Sequence, residues 1–190
     1  MTCRLLRNIK HTCEYNPGGI AEILLLDIRD FISYKFADDK LYNECYVDLI
    51  NTYSPPVELD VVNECSCTST EENGIYTQEL STFIRSMDAG KTAELLLASN
   101  NKYVVVYINP QGRAFTFGSD GGASLSFTQQ SGQSGEAEGY SITIRKRSIY
   151  PLFEIDPDFI NIQEKIKVIG TEDNRVIMSE NELSAFSIQK

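Results

Sequence analysis

Apolar residues in this chain come in short runs, many with a period of two, separated by clusters of Gly, Pro, Asn and Asp. That rhythm predicts a succession of strands. Residues 20–28 form an almost continuous apolar run behind the breaker Asn16-Pro17-Gly18-Gly19. With no helix cap in sight, the run reads as a buried strand, although periodicity alone also allows a helix. Residues 30–36 alternate Phe31, Ser33 and Lys35 against Ile32, Tyr34 and Phe36, the pattern of a second strand packed on one face. Residues 37–56 mix charge, Tyr and Asn and end in Pro55-Pro56, which predicts a long loop with a helical turn around 41–50.

Residues 57–70 open on the alternation Val57, Leu59, Val61 and then turn Cys-, Ser- and Thr-rich, a composition poor for a helix interior. Asn73-Gly74 then supplies the residues a type I′ turn needs, and 75–86 is the expected return strand of a hairpin with 57–70. A helix is expected at 88–99, where Asp88 is an N-cap and AGKTAELLLAS is rich in helix formers. Strands follow at 102–109, 113–118, 121–129 and 140–148, the first two joined by the turn Asn109-Pro110-Gln111-Gly112. The Gly/Ser/Gln stretch 129–139 reads as a mobile loop, and 156–190 as an extra strand or two plus a short arm. The expected fold is mainly β: an antiparallel sandwich or barrel at 1–155 with one flanking helix, and a C-terminal extension at 156–190.

Composition narrows the function classes. The chain has 190 residues, 17 Lys and Arg against 27 Asp and Glu, and a net charge of -10. That length suits one domain with an appendage. The acidic balance argues against a duplex nucleic-acid reader and against adhesion to an anionic membrane. The longest apolar runs, at 23–26 and 103–108, fall far short of a membrane-spanning helix, and the first residues lack the apolar core of a signal peptide. Synthesis in a cytoplasm is therefore expected, with Cys3, Cys13, Cys45, Cys65 and Cys67 as reduced thiols.

Candidate chemistry is sparse. His11, the single histidine, lies in an N-terminal connector, and a zinc site from Cys3, His11 and Cys13 lacks paired CxxC spacing. The Gly118-Ser119-Asp120-Gly121-Gly122 run has no following helix or Lys-Ser/Thr to hold a phosphate. Asp156-Pro157-Asp158 and Ala37-Asp38-Asp39 lack the spaced oxygen ligands of an EF-hand and read as solvated turn acids. Arg145, Lys146 and Arg147 fall on alternate strand faces, which predicts pairing with neighbouring acids rather than a continuous basic patch. No catalytic, cofactor-binding or metal-ligating residue is assigned, and an enzyme is not expected.

Several segments together resemble a family of tail-tube-like proteins of tailed phages of gut bacteria. They are ENGIYTQELSTF, RSMDAGKTAELLLAS, KYVVVYINPQGRAFTFGS, SGQSGEAEGYSITIRKRSIYPLFEI and the Cys-framed opening CRLLRNIKHTCEYNPGGI. The resemblance implies a structural virion protein of the tail. Such a subunit forms a homo-oligomeric ring, of hexamer or dodecamer type, beside other tail or ring proteins, and DNA crosses its lumen without specific binding or membrane insertion. The long polar 37–56 segment and the extension after Asp156 depart from a plain tube subunit. They leave open a hub, adaptor or tail-ring role, including that of a short-tailed crAss-like phage. The alternative from another class is a monomeric β-sandwich that binds carbohydrate or a host surface, for which ten Tyr but no Trp are available.

Overall fold

In chain order the strands are β1 (Glu22–Asp27), β2 (Phe31–Phe36), β3 (Tyr46–Thr52), β4 (Val57–Leu59), β5 (Ser66–Glu72) and β6 (Ile75–Arg85). A helix, α1 (Ala89–Ser99), precedes β7 (Lys102–Ile108), β8 (Ala114–Phe117), β9 (Ala123–Gln130) and β10 (Gly139–Ser148). β11 (Phe153–Ile155), β12 (Ile160–Ile162), β13 (Val168–Gly170) and β14 (Val176–Ser179) complete the set. The structure is a computed structural model that describes residues 18–37, 45–60, 65–131, 137–156, 158, 160–163, 168–170 and 176–179. Twelve strands form one sheet, β13 and β14 pair with each other, and α1 is the one helix among the described residues. The expected class is borne out: mainly β, sandwich-like, with a single flanking helix.

The arrangement turns on β1 and β7, whose sequences are the two longest apolar runs. They pair antiparallel along their length, Glu22 opposite Ile108 and Asp27 opposite Tyr103. Both faces of this ribbon are buried. Ile23, Leu25 and Val105 enter one core with Leu80, Phe117, Leu125, Tyr140, Ile142 and Ile144. Leu24, Leu26, Val104 and Val106 enter a second with Val47, Ile50, Phe153 and Ile155. Burial on both sides explains why ILLL and VVV are continuous rather than alternating. The first core is enclosed by β9, β10, β6 and α1, which contributes Leu95, and the second by β2, β3 and β11.

Two sequence expectations are corrected. Residues 46–52, expected as loop or helical turn, form β3, which pairs with β2 on one edge and with β11 and β12 on the other. Val47 and Ile50 both enter the second core although three apart, and the β2–β3 register shifts twice, so the period of two is absent from the sequence. Residues 57–70 do not form one strand. β4 pairs with β1, Leu25 opposite Val57, while β5 alone pairs with β6 around Asn73-Gly74. The buried β1 has a second edge whose backbone groups need partners, and β4 meets that need for Ile23, Leu24 and Leu25. Beyond the 1–155 boundary, β12 joins the main sheet beside β3.

Asp88 caps α1 as expected. Its carboxylate accepts the Lys91 amide at 2.8 Å, which holds its pKa below the usual range. The helix is pinned to the sheet by Tyr140. Its buried hydroxyl donates to the Asp88 carbonyl at 2.9 Å, accepts the Asp88 amide at 3.2 Å and lies 2.7 Å from Thr92 Oγ1.

Candidate functional site

The GSDGG run, dismissed as a phosphate loop, occupies a defined place. Phe117 sits opposite Val105 and Ala123 opposite Tyr103, so the five residues 118–122 face the single residue Val104. β8 and β9 run in the same direction and form one strand interrupted by this outsized bulge, beyond which the strand changes partner to β10. Glycine is required at both ends. A Cβ on Gly118 (φ +96) would lie 2.8 Å from the Tyr103 carbonyl, and one on Gly122 (φ +79) 2.6 Å from Lys102 Cβ. The Gly122 amide closes the bulge onto the Gly118 carbonyl at 2.8 Å.

The bulge carries Ser119 and Asp120 to the wall of a pocket of about 350 Å³ whose other lining residues, Ser33 apart, are aromatic. Phe31, Tyr34 and Phe36 come from β2, Phe153 from β11, and Tyr150 from the turn between β10 and β11. The rings meet edge to face: Tyr34 and Phe153 at 6.1 Å and 80°, Phe36 and Phe153 at 5.4 Å and 77°. Thr116 spends its hydroxyl proton on the Val105 carbonyl at 3.0 Å, so Tyr34 donates to Thr116 Oγ1 at 2.8 Å. Burial pushes the Tyr34 phenol far above its ordinary pKa, so it stays neutral.

Asp120 does not stand as a lone negative charge. Lys146 Nζ lies 3.2 Å from its Oδ1 and donates to its backbone carbonyl at 2.6 Å, with the lysine side chain only 13% exposed. The pair locks the bulge onto β10 and leaves the pocket wall polar but close to neutral.

A second concavity, about 540 Å³, lies between α1, β4 and β9. Leu25, Leu59, Leu95, Tyr103 and Leu125 line it, and Val57 and Leu97 stand at its mouth 67% and 63% exposed. Glu58, Lys91 and Glu94 supply the charged rim. β4 beside it is bonded on one edge only, to β1, and β5 at the end of the sheet only to β6, among the described residues.

The remaining sequence candidates do not converge. Cys3, His11, Cys13, Asp38 and Asp39 lie outside the described residues, as does 132–136 of the Gly/Ser/Gln loop. Asp156 accepts the Asp158 amide at 3.0 Å, a turn-stabilising bond. Arg145 pairs with Glu79, its opposite number on β6, and Lys146 with Asp120, as alternation predicts, while Arg147 is exposed. Cys45, Cys65 and Cys67 are free thiols, and no group of three His, Cys, Asp or Glu side chains able to hold a metal occurs among the described residues. Sequence reasoning missed the aromatic pocket. Its signal was the clustering of aromatics at 31, 34 and 36 and at 150 and 153, together with a glycine-rich insert inside an otherwise continuous strand. No family model, curated protein or solved structure matches the chain.

Proposed function

We propose that this chain is a non-enzymatic structural subunit of a tailed-phage virion, in the tail tube, hub or ring, that assembles with copies of itself around a DNA channel. One observation carries the reading: an apolar cleft with exposed Val57 and Leu97 opens directly beside β4, a strand bonded on one edge only among the described residues. Exposed apolar surface next to an unpaired strand edge is what a neighbouring subunit covers by adding a strand and filling a groove. The outer edge of β5, unbonded among the described residues, offers a second surface for a head-to-tail contact, the kind that closes into rings. A net charge of -10 supports the channel part of the reading, since like-charged walls let duplex pass without trapping it.

Mass photometry and negative-stain microscopy of the purified protein test it. Closed rings are expected, and Leu97→Lys and Val57→Lys, on side chains already exposed, should return monomers with an unchanged circular dichroism spectrum. A monomer at every concentration and salt level would defeat the proposal.

A further inference from the structure

We infer that the aromatic pocket between β2, the 118–122 bulge and the β10–β11 turn is a binding site for a neutral hexose. Phe36 and Tyr150 stack on the sugar's C–H face, and Asp120 and Ser119 receive its hydroxyls. The pocket shares no lining residue with the cleft beside β4, so the inference stands or falls apart from the assembly proposal.

Four observations converge on this ligand. The first is chemical asymmetry. The lining joins five aromatic rings from β2, β11 and the β10–β11 turn to the polar Ser119 and Asp120 of the bulge, matching a ring that is apolar on its faces and hydroxylated at its rim. The second is size: about 350 Å³ lies at the small end of ligand pockets, roughly 300–1,000 Å³, and suits a single monosaccharide. The third is charge. A cage of aromatic rings with one carboxylate also describes an ammonium site, but here Lys146 already occupies Asp120 Oδ1. A cation would have to compete with that ammonium, whereas a neutral hydroxyl donates to the carboxylate without displacing it. Lys146 is in turn committed to Asp120, which weakens the case for an anion.

The fourth is preorganisation. Tyr34 is fixed by Thr116, and Phe153 is buried against it. The bulge is held by two glycines that tolerate no Cβ and by the Lys146 bond to its backbone. Groups already in place lose little freedom on binding. Phe36 and Tyr150, in contrast, remain 38% and 46% exposed, which leaves ring surface open to a ligand.

Saturation-transfer NMR and titration calorimetry on the full chain, with the methyl glycosides of glucose, galactose and mannose, test the site. Saturation transfer to the ring protons of at least one glycoside is expected. Asp120→Asn should raise its Kd about tenfold or more, because hydrogen bonds to a charged group are the strong ones. Tyr150→Ala should remove the transfer, and Val57→Lys should leave it intact. The melting temperature of each variant separates a lost site from a lost fold. Absence of transfer from all three glycosides at millimolar concentration overturns the inference. So does binding that survives either pocket substitution unchanged, or tetramethylammonium binding in place of sugar.

Discussion

Replacing Tyr140 with Phe removes one oxygen atom from the junction where α1 meets the sheet. The ring stays, so the first core keeps its packing and no cavity opens. What disappears is a hub of contacts to the Asp88 carbonyl, the Asp88 amide and Thr92 Oγ1. A hydrogen bond contributes roughly 1 kcal/mol net, and an unsatisfied buried partner costs about 1–3 kcal/mol. Thr92 can turn its proton fully to the Asp88 carbonyl, already 2.9 Å away, which recovers part of the loss. The expected destabilisation is therefore about 2 kcal/mol, or about 4–8 °C in Tm for a chain of this size. Hydrogen exchange should locate it: the Thr92 amide, which bonds the Asp88 carbonyl at 3.1 Å, should exchange faster together with the rest of the first helical turn. A Tm within about 1 °C of the parent protein, with unaltered exchange in that turn, would refute the assignment of Tyr140 as the anchor of the helix.

Four further outcomes follow from the same geometry. Gly122→Ala should lower the urea midpoint by at least about 2 kcal/mol equivalent, because it combines left-handed backbone with a Cβ driven into Lys102; a parental midpoint would contradict the account of the bulge. In the folded protein Cys45, which is exposed, should react with iodoacetamide well before Cys67, whose pKa burial pushes up to about 11 and whose thiolate is only about one part in a thousand at pH 8. Since folding raises that pKa, the Cys67 contribution to stability is intact below the unfolded value of about 8.5 and is lost as pH rises from there towards 11, so urea midpoints should fall across that window and a Cys67→Ser variant should lose less there. Deleting 156–190 should lower Tm by stripping β12 from Ile50, Asn51 and Thr52, whereas deleting 164–190 should not, because β13 and β14 pair only with each other among the described residues; equal Tm values would mean that β12 adds nothing to the sheet.

Local signals carried much of the fold. Asn73-Gly74 placed the β5–β6 turn, Asp88 placed the helix start, and the apolar run at 20–28 marked β1 as a buried strand. What failed was pairing across distance. Nothing within 57–59 announces that its partner is β1 rather than β6, because that choice answers the unmet backbone groups of a strand more than thirty positions away. β3 was illegible for a different reason: register shifts in its pairing with β2 spoil the period of two, and Val47 with Ile50 imitates helical spacing. The aromatic pocket was hidden because its rings belong to segments more than a hundred residues apart, joined only once β11 and β3 lie side by side.

The ribbon of β1 and β7 has a consequence for how the molecule comes apart. Its two strands are at once the wall of one hydrophobic interior and the wall of the other, so neither interior can open while its neighbour stays closed. Heating should therefore produce a single endotherm with equal calorimetric and van't Hoff enthalpies for the main sheet, despite its two separate cores. The same sharing makes Val104 and Val105, adjacent in sequence yet facing opposite interiors, a point where damage on one side is felt on the other: a truncation at either should lower the Tm of the whole sheet as one transition rather than split off its own half.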